Sequence, residues 1–98
     1  MRITKVGING FGRIGRQLTK LLLGHEKIEI SAINDLSDSN TSSHLFKYDT
    51  SYGTFDGEVN SNESQIIINN KVINKISERD PSKIKWSDHN VDIVVEST

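Results

Sequence analysis

The sequence contains one glycine-rich turn whose residue types could bind a phosphate group. It runs Gly10-Phe11-Gly12-Arg13-Ile14-Gly15, which is the spacing G-x-G-x-x-G. The first glycine allows a tight turn, the second lets a pyrophosphate approach the backbone, and the third lets a helix pack closely on a strand. The N–H groups of the first helical turn and the helix dipole favour the phosphate charge. The pattern predicts a dinucleotide site, and the alternative is a glycine-rich turn without a ligand.

A second chemical signal is an acidic residue placed after the next apolar segment. Asp35 lies about 20 residues beyond Gly15, where a carboxylate can accept hydrogen bonds from the adenosine ribose. Such a charge-assisted bond contributes roughly 1.5–3 kcal/mol, and the same charge repels a 2′-phosphate. The position predicts NAD rather than NADP, and the alternative is an ordinary turn or capping residue. A P-loop is excluded because Arg16-Gln17 follow the last glycine.

The remaining residues contain no catalytic or metal-binding set that spacing alone can support. The chain has no cysteine, which excludes a disulfide scaffold, a zinc finger and a cysteine nucleophile within these residues. The acidic residues near position 55 are expected to be loop and turn residues. The histidines are expected to be ordinary surface or partly buried residues: His25, His44 and His89. We therefore predict no catalytic residue and no metal site within these 98 residues.

The charge balance limits the classes of partner. The 12 Lys and Arg residues against 13 Asp and Glu give a net charge of −1, without the basic field that nucleic acids or membrane surfaces require. The longest apolar runs, Leu21–Leu23 and Ile66–Ile68, fall far short of the roughly 20 residues of a membrane span. Met1–Lys5 lacks the apolar run of a secretory signal. We expect neither a nucleic-acid nor a membrane partner.

The first half of the chain predicts the elements that must position these residues. Alternating apolar residues over Ile3–Ile8 predict a strand, and helical spacing from Gly12 predicts a helix that stops at Gly24. A second strand is expected over Ile28–Ile33. A second helix, capped by Asp38 or a nearby Ser or Thr, should run to about Tyr48.

The second half predicts a ribbon and further strands. After a structured loop over Asp49–Gly57, antiparallel ribbon is expected from Glu58 to Ile73, turning at Asn69-Asn70. Another strand is predicted to start or end at Ile76-Ser77, and Val91–Val95 predicts a buried strand. A short helical turn begins at the only proline. The order of elements predicts an α/β fold with a largely parallel sheet.

Several segments together resemble one enzyme family across essentially the whole chain. These segments are Val6–Arg16, Ala32–Leu36, His44–Thr50, Tyr52–Phe55, Glu78–Pro81, Trp86 and Val91–Thr98. In this order they are similar to the start of phosphorylating glyceraldehyde-3-phosphate dehydrogenase, of the glycolytic, NAD-dependent type. The erythrose-4-phosphate dehydrogenase family tends to have Glu in place of Asp35 and to lack Asp80-Pro81, which favours the glycolytic enzyme.

The resemblance implies a Rossmann-type, doubly wound parallel sheet with strand order 3-2-1-4 and an antiparallel ribbon insertion around residues 58–76. It implies that residues 1–98 are the N-terminal portion of the NAD-binding domain and that the catalytic domain lies elsewhere. Contacts with NAD are implied for residues of the glycine turn and of three later segments. These residues are Asn9, Gly10, Phe11, Gly12, Arg13, Ile14, Gly15, Asn34, Asp35, Arg79, Ser97 and Thr98.

The resemblance also implies the activity and setting of the parent protein. The family oxidises and phosphorylates glyceraldehyde 3-phosphate with a cysteine nucleophile and a histidine base, usually as a homotetramer. A cytoplasmic location follows by the same resemblance. These 98 residues are expected to orient the cofactor and to be inactive alone. The alternative is a stand-alone adenine-nucleotide-binding or interaction module without catalysis, although an apolar edge strand over Val91–Val95 argues against it.

Overall fold

The computed structural model describes residues 3–48 and 57–98 and places them around one mixed sheet. The strands are β1 (Thr4–Asn9), β2 (Ile28–Asn34), β3 (Val59–Asn62), β4 (Gln65–Ile68), β5 (Lys71–Ile76) and β6 (Ile93–Glu96). The helices are α1 (Arg13–Leu22) and α2 (Ser39–Tyr48), with 3-10 turns at Pro81–Lys83 and Trp86–His89. Residues 49–56, which include the loop expected before Gly57 and the Tyr52–Phe55 segment of the resemblance, lie outside the described residues.

The parallel half of the sheet has the strand order that the family resemblance implied. The full order is β3-β4-β5-β2-β1-β6, and β5-β2-β1-β6 run parallel. Numbered along the parallel strands alone, this is 3-2-1-4. Val6 of β1 pairs with Ile30 on one side and Ile93 on the other. The predicted α/β fold of Rossmann type is confirmed.

The antiparallel ribbon extends this sheet instead of forming a separate layer. β3 pairs with β4 and β4 with β5, around a turn at Asn69 and Asn70 with φ of 50° and 70°. Asparagine tolerates this left-handed conformation, and the predicted turn is confirmed. A strand does end at Ile76, but the expectation that it is separate from the ribbon is wrong, because β5 continues from Lys71 to Ile76. Asn74 of β5 pairs with β4 on one side and with β2 on the other.

The last strand is less buried than its sequence indicated. The run of β-branched residues from Val91 predicted a buried strand, but β6 begins at Ile93, which is 52% exposed, and Val94 is 41% exposed. β6 lies at one edge of the described sheet and pairs only with β1. An edge strand has a neighbour on one side only, so β-branched composition did not secure burial here.

One end of each helix is capped by a side chain, from a neighbouring residue in α2 and from a distant strand in α1. Asp38 caps α2, because its carboxylate accepts the Thr41 N–H at 2.6 Å, and this predicted cap is confirmed. α1 ends at Leu22 without a left-handed glycine at position 24. Instead the ammonium of Lys71, from the ribbon, donates to the Leu23 carbonyl at 3.2 Å, which satisfies a helix end that lacks partners within the helix.

The core connects the ribbon, the parallel strands and α2. Its fully buried side chains include Phe46 of α2, Ile8 of β1 and Ile66 of β4. The Phe46 ring stacks on Phe11, with centroids 6.0 Å apart and planes at 13°. Since Phe11 lies inside the glycine turn, this stack attaches the turn directly to the core.

We expect Phe46→Ala to lower the free energy of unfolding by about 3–5 kcal/mol, the usual cost of removing a buried phenylalanine. Leu45 is the matched control, because it is the preceding residue of the same helix and is 40% exposed. Urea denaturation of both variants measures the difference. Equal losses for Phe46→Ala and Leu45→Ala would contradict the placement of α2.

Candidate functional site

The candidate site lies at the carboxyl edge of the parallel strands, where ligands bind in open α/β sheets. β1 ends at Asn9 and β2 at Asn34, and these two residues pair in the sheet. Asn9 also pairs with Glu96, the last residue of β6, and Asn34 pairs with Ile76, the last residue of β5. Four strand ends therefore meet in one row.

Main-chain hydrogen bonds continue the sheet beyond these strand ends. The Gly10 N–H donates to the last carbonyl of β2 at 2.8 Å, and the Asp35 N–H donates to the last carbonyl of β5 at 2.9 Å. The Ser97 N–H donates to the last carbonyl of β1 at 2.9 Å. Gly10, Asp35 and Ser97, the first residues after β1, β2 and β6, are therefore held in place by the protein itself.

The glycine turn is too crowded for side chains at two of its three glycines. Gly10 has a φ of 100°, and a Cβ there would lie 2.8 Å from the Thr98 main chain. A Cβ on Gly15 would overlap the Gly10 carbonyl oxygen and lie 3.2 Å from Cγ2 of Ile8. The start of α1 can therefore lie directly against the end of β1.

Gly12, the second glycine of the turn, faces open space. Gly12 precedes α1 in an extended conformation, and a Cβ on it would have no neighbour within 4 Å. The N–H groups that begin an α-helix have no partners within the helix and carry its positive dipole end. Arg13 and Ile14 provide the first of these groups, and both residues are exposed. The observed cradle fits the pyrophosphate of a dinucleotide.

Phe11 occupies a different position from the other residues of the turn. Its side chain is only 3% exposed and packs in the core. Its N–H donates to Oδ1 of Asp35 at 3.0 Å, and its carbonyl accepts from Nη1 of Arg16 at 3.0 Å. The main chain of Phe11 therefore belongs to the site, whereas its ring anchors the turn.

Asp35 links the glycine turn to the loop after β2. Besides the bond from Phe11, its Oδ2 accepts the N–H of Ser37 at 3.0 Å. Asp35 therefore does act as a turn residue, which was the alternative interpretation of this position. Each carboxylate oxygen can accept a further hydrogen bond, so these contacts leave acceptor capacity for ribose hydroxyls. The ribose role of Asp35 stays a prediction.

The two asparagines that end β1 and β2 are committed to protein partners. Nδ2 of Asn34 donates to Oδ1 of Asn9 at 2.8 Å and to the Glu78 carbonyl at 3.0 Å, while its Oδ1 accepts the Glu78 N–H at 2.9 Å. Nδ2 of Asn9 donates to Glu96 at 2.7 Å. Arg79 is exposed and directly follows Glu78, whose main chain is bonded by Asn34. The predicted cofactor contacts of these residues stay predictions.

The residues after β6 close the site against the glycine turn. Oγ of Ser97 donates to the Gly10 carbonyl at 2.6 Å, and Oγ1 of Thr98 donates to Glu96 at 2.6 Å. Hydrogen bonds from Thr98 and Asn9 hold the pKa of the Glu96 carboxyl below its ordinary value. Glu96 therefore stays ionised beside the turn at neutral pH.

Three residues of the site were missed by reasoning from the sequence. Glu78 and Glu96 join the asparagine network, and Lys75 is a buried lysine whose ammonium lies at the loop that carries Asp35. Period-two alternation along β5 could have found Lys75, because it shares a strand face with the buried Ile73. For Glu78 and Glu96 we find no sequence signal that would have indicated their partners.

Two negative findings concern residues 3–48 and 57–98 only. Within these ranges the structure holds no group of three His, Cys, Asp or Glu residues that could hold a metal ion. None of the helices formed there is long and apolar enough to cross a membrane.

The parallel sheet, the open helix start and the acidic residue at the end of β2 define a dinucleotide-binding domain of Rossmann type. Comparison with known proteins narrows this class. A family model described as the NAD binding domain of glyceraldehyde 3-phosphate dehydrogenase matches residues 4–98. The chain belongs to this family, the resemblance is confirmed, and NAD is the cofactor of the domain.

Relatives support the same assignment. The chain is 53% identical over 96 residues to glyceraldehyde-3-phosphate dehydrogenase 1 of Bacillus cereus, covering 98% of the chain and 29% of that protein. It is 51% identical over 94 residues to the enzyme of Geobacillus stearothermophilus, covering 96% of the chain and 28% of that protein. It is 46% identical over 96 residues to a cytosolic form from Trypanosoma brucei brucei, covering 98% and 29%. The chain thus spans less than a third of these relatives.

Alanine at two glycines of the turn should separate binding from folding. Gly12→Ala should cost at most about 1 kcal/mol of stability but raise the Kd for NAD at least about tenfold, because its methyl group enters the pyrophosphate space. Gly15→Ala should lower the free energy of unfolding by about 1–3 kcal/mol. Calorimetric NAD titration and urea denaturation of the complete gene product test both. Unchanged NAD binding in Gly12→Ala would refute the cradle.

Proposed function

We propose that residues 1–98 are the N-terminal portion of the NAD-binding domain of a phosphorylating, NAD-dependent glyceraldehyde-3-phosphate dehydrogenase. The observation that carries this proposal is the open helix start at Gly12, in a chain that the family model matches from residue 4 to residue 98. The reaction of the whole protein would convert glyceraldehyde 3-phosphate and phosphate to 1,3-bisphosphoglycerate. NAD would be the hydride acceptor.

Within that reaction, the described residues bind and orient the cofactor. The main-chain N–H groups of Arg13 and Ile14, two exposed residues at the start of α1, stabilise the pyrophosphate charge. Asp35 accepts hydrogen bonds from the adenosine ribose, and Arg79 lies near the adenine. The catalytic cysteine would belong to residues outside this chain, because the 98 residues contain no cysteine. By the family resemblance, the histidine base would lie there with it.

The remaining residues of the site hold the path of the cofactor. Ser97 and Thr98 lie against the glycine turn through their bonds to Gly10 and Glu96. Asn9 and the residues around it would lie beside the pyrophosphate. Their side-chain bonds to one another support a preformed surface, since satisfied buried polar groups resist rearrangement.

The proposal extends to the setting of the complete protein. Its substrate would be a sugar phosphate, and its assembly a homotetramer in the cytoplasm, where glycolysis takes place. The relative from Trypanosoma brucei brucei is described as cytosolic. The near-neutral net charge of −1 gives no support to nucleic-acid or membrane partners.

The complete gene product should reduce NAD when supplied with both glyceraldehyde 3-phosphate and phosphate, whereas residues 1–98 alone should not. The reason is that these residues orient the cofactor but supply no nucleophile. Absorbance of NADH measures both. NADH formation by the purified 98-residue chain would overturn the division of roles, and an inactive complete product would overturn the proposed reaction.

Asp35→Ala should weaken NAD binding about 10- to 100-fold, the equivalent of a charge-assisted hydrogen bond, and weaken NADP binding less. Asp38→Ala is the matched control, because it removes an equal charge three residues later, at a carboxylate that caps α2 instead of bonding the glycine turn. Kd values for both dinucleotides, measured on the complete product, give the preference. An unchanged NAD to NADP ratio in Asp35→Ala would refute the ribose role.

A further inference from the structure

A buried lysine lies beneath the loop that carries Asp35. Lys75 is the fifth residue of β5 and is only 9% exposed. It shares a strand face with the buried Ile73, so the alternation of the strand directs it inward. Lysine is almost never buried unless its charge is paired or hydrogen-bonded. Its partners therefore indicate what the buried charge does.

Every donor of the Lys75 ammonium has an acceptor. Nζ lies 2.5 Å from the main-chain carbonyl of Asp35, 3.1 Å from the carbonyl of Ile76 and 3.0 Å from Oγ of Ser77. An ammonium has three donors, so none is left for a ligand. This arrangement excludes Lys75 as a direct phosphate contact and makes it a structural link between the ends of β2 and β5.

The positive charge of Lys75 interacts with two carboxylates on the neighbouring loop. Burial lowers the pKa of Lys75, while the negative charges of Asp35 and Asp38 oppose that shift. The ammonium therefore has favourable charge partners on the loop between β2 and α2. It compensates part of the negative charge that this loop carries.

The residue that Lys75 holds is the one predicted to select the cofactor. The carboxylate of Asp35 is fixed by the N–H groups of Phe11 and Ser37. The main chain of Asp35 is fixed at two atoms: its N–H donates to the Ile76 carbonyl, and its carbonyl accepts from the Lys75 ammonium. Without the ammonium, the Asp35 carbonyl would lose this hydrogen bond, and the main chain that carries the carboxylate would be less firmly held.

We propose that Lys75 is a positioning residue for cofactor selection, which fixes the main chain of Asp35 so that its carboxylate meets the adenosine ribose. This inference rests on the proposed ribose role of Asp35. NAD gains from a correctly placed carboxylate, whereas NADP carries a 2′-phosphate that the carboxylate repels. Loss of Lys75 therefore weakens NAD binding more than NADP binding and reduces the preference for NAD.

The experiment compares two lysines of the same strand. Lys75→Met removes the buried ammonium and shortens the unbranched side chain by one atom. Lys71→Met makes the same change at an ammonium that caps α1 at the far end of β5. Kd values for NAD and NADP are measured by calorimetry on the complete gene product. For Lys75→Met we expect the Kd for NAD to rise about tenfold, the effect of one charge-assisted hydrogen bond, and that for NADP less than about twofold.

Two further variants make the result specific. Lys75→Arg, which keeps the charge and donors, should restore most of the NAD affinity. In the double variant Asp35→Ala with Lys75→Met, NAD binding should be no weaker than in Asp35→Ala, because residues that act through one another are not additive. Lys71→Met should change neither Kd. Where Lys75→Met does not fold, Lys75→Gln, which is neutral but keeps a donor, replaces it and is expected to lower the NAD preference in the same direction.

Several results would overturn the inference. Equal increases in the Kd for NAD and NADP would show a general structural role, and an unchanged NAD affinity would show no role. Additive losses in the double variant would show that Lys75 does not act through Asp35. A preference that changes in Asp35→Ala but not in Lys75→Met would refute the role of Lys75 and leave the proposed function intact. A preference unchanged in both would refute both.

Discussion

The close contact between the start of α1 and the end of β1 is the constraint on which the rest of this structure depends. This contact is possible because Gly15 has no side chain that would clash with the Gly10 carbonyl, and because Gly10 can adopt a φ of 100°. This contact directs the start of α1 toward the strand ends and leaves Gly12 facing open space. It also turns the Phe11 ring into the core, where Phe46 holds it. The binding surface and the packing of the domain thus share one geometric origin.

A second level of organisation comes from the polar groups at the ends of the parallel strands. A strand end leaves main-chain groups that need partners when they are buried. The Asn34 side chain bonds the main-chain N–H and carbonyl of Glu78, beyond the end of β5, and Asn9 links Asn34 to the Glu96 carboxylate. Lys75 likewise bonds a main-chain carbonyl of the loop after β2. The dinucleotide surface is therefore preorganised by hydrogen bonds within the protein, which lowers the cost of ordering it when a ligand binds.

The features that followed from the sequence were local ones. The glycine turn, the Asp38 cap and the Asn69-Asn70 turn each depend on residue types within a few positions. The features that failed depended on distant neighbours. The strand expected at Ile76-Ser77 is part of β5, because the same strand pairs with β4 and then with β2. Burial of β6 failed because it depends on strands packed beside it, which residue composition does not specify.

The sequence by itself determined the class of the site, since glycine spacing and an acidic residue after the next strand restrict the main chain to a phosphate-binding turn. Right-handed crossovers then placed β1 inside the parallel sheet, and the family resemblance implied the strand order. Only the tertiary structure decided which side chains face the site and which support it. Phe11 and Asn34 lie within the expected segments yet pack or hydrogen-bond internally, and Lys75 reaches the site from a distant ribbon strand. Side-chain roles of this kind depend on which strands meet across the sheet, and the local pattern of residues does not carry that information.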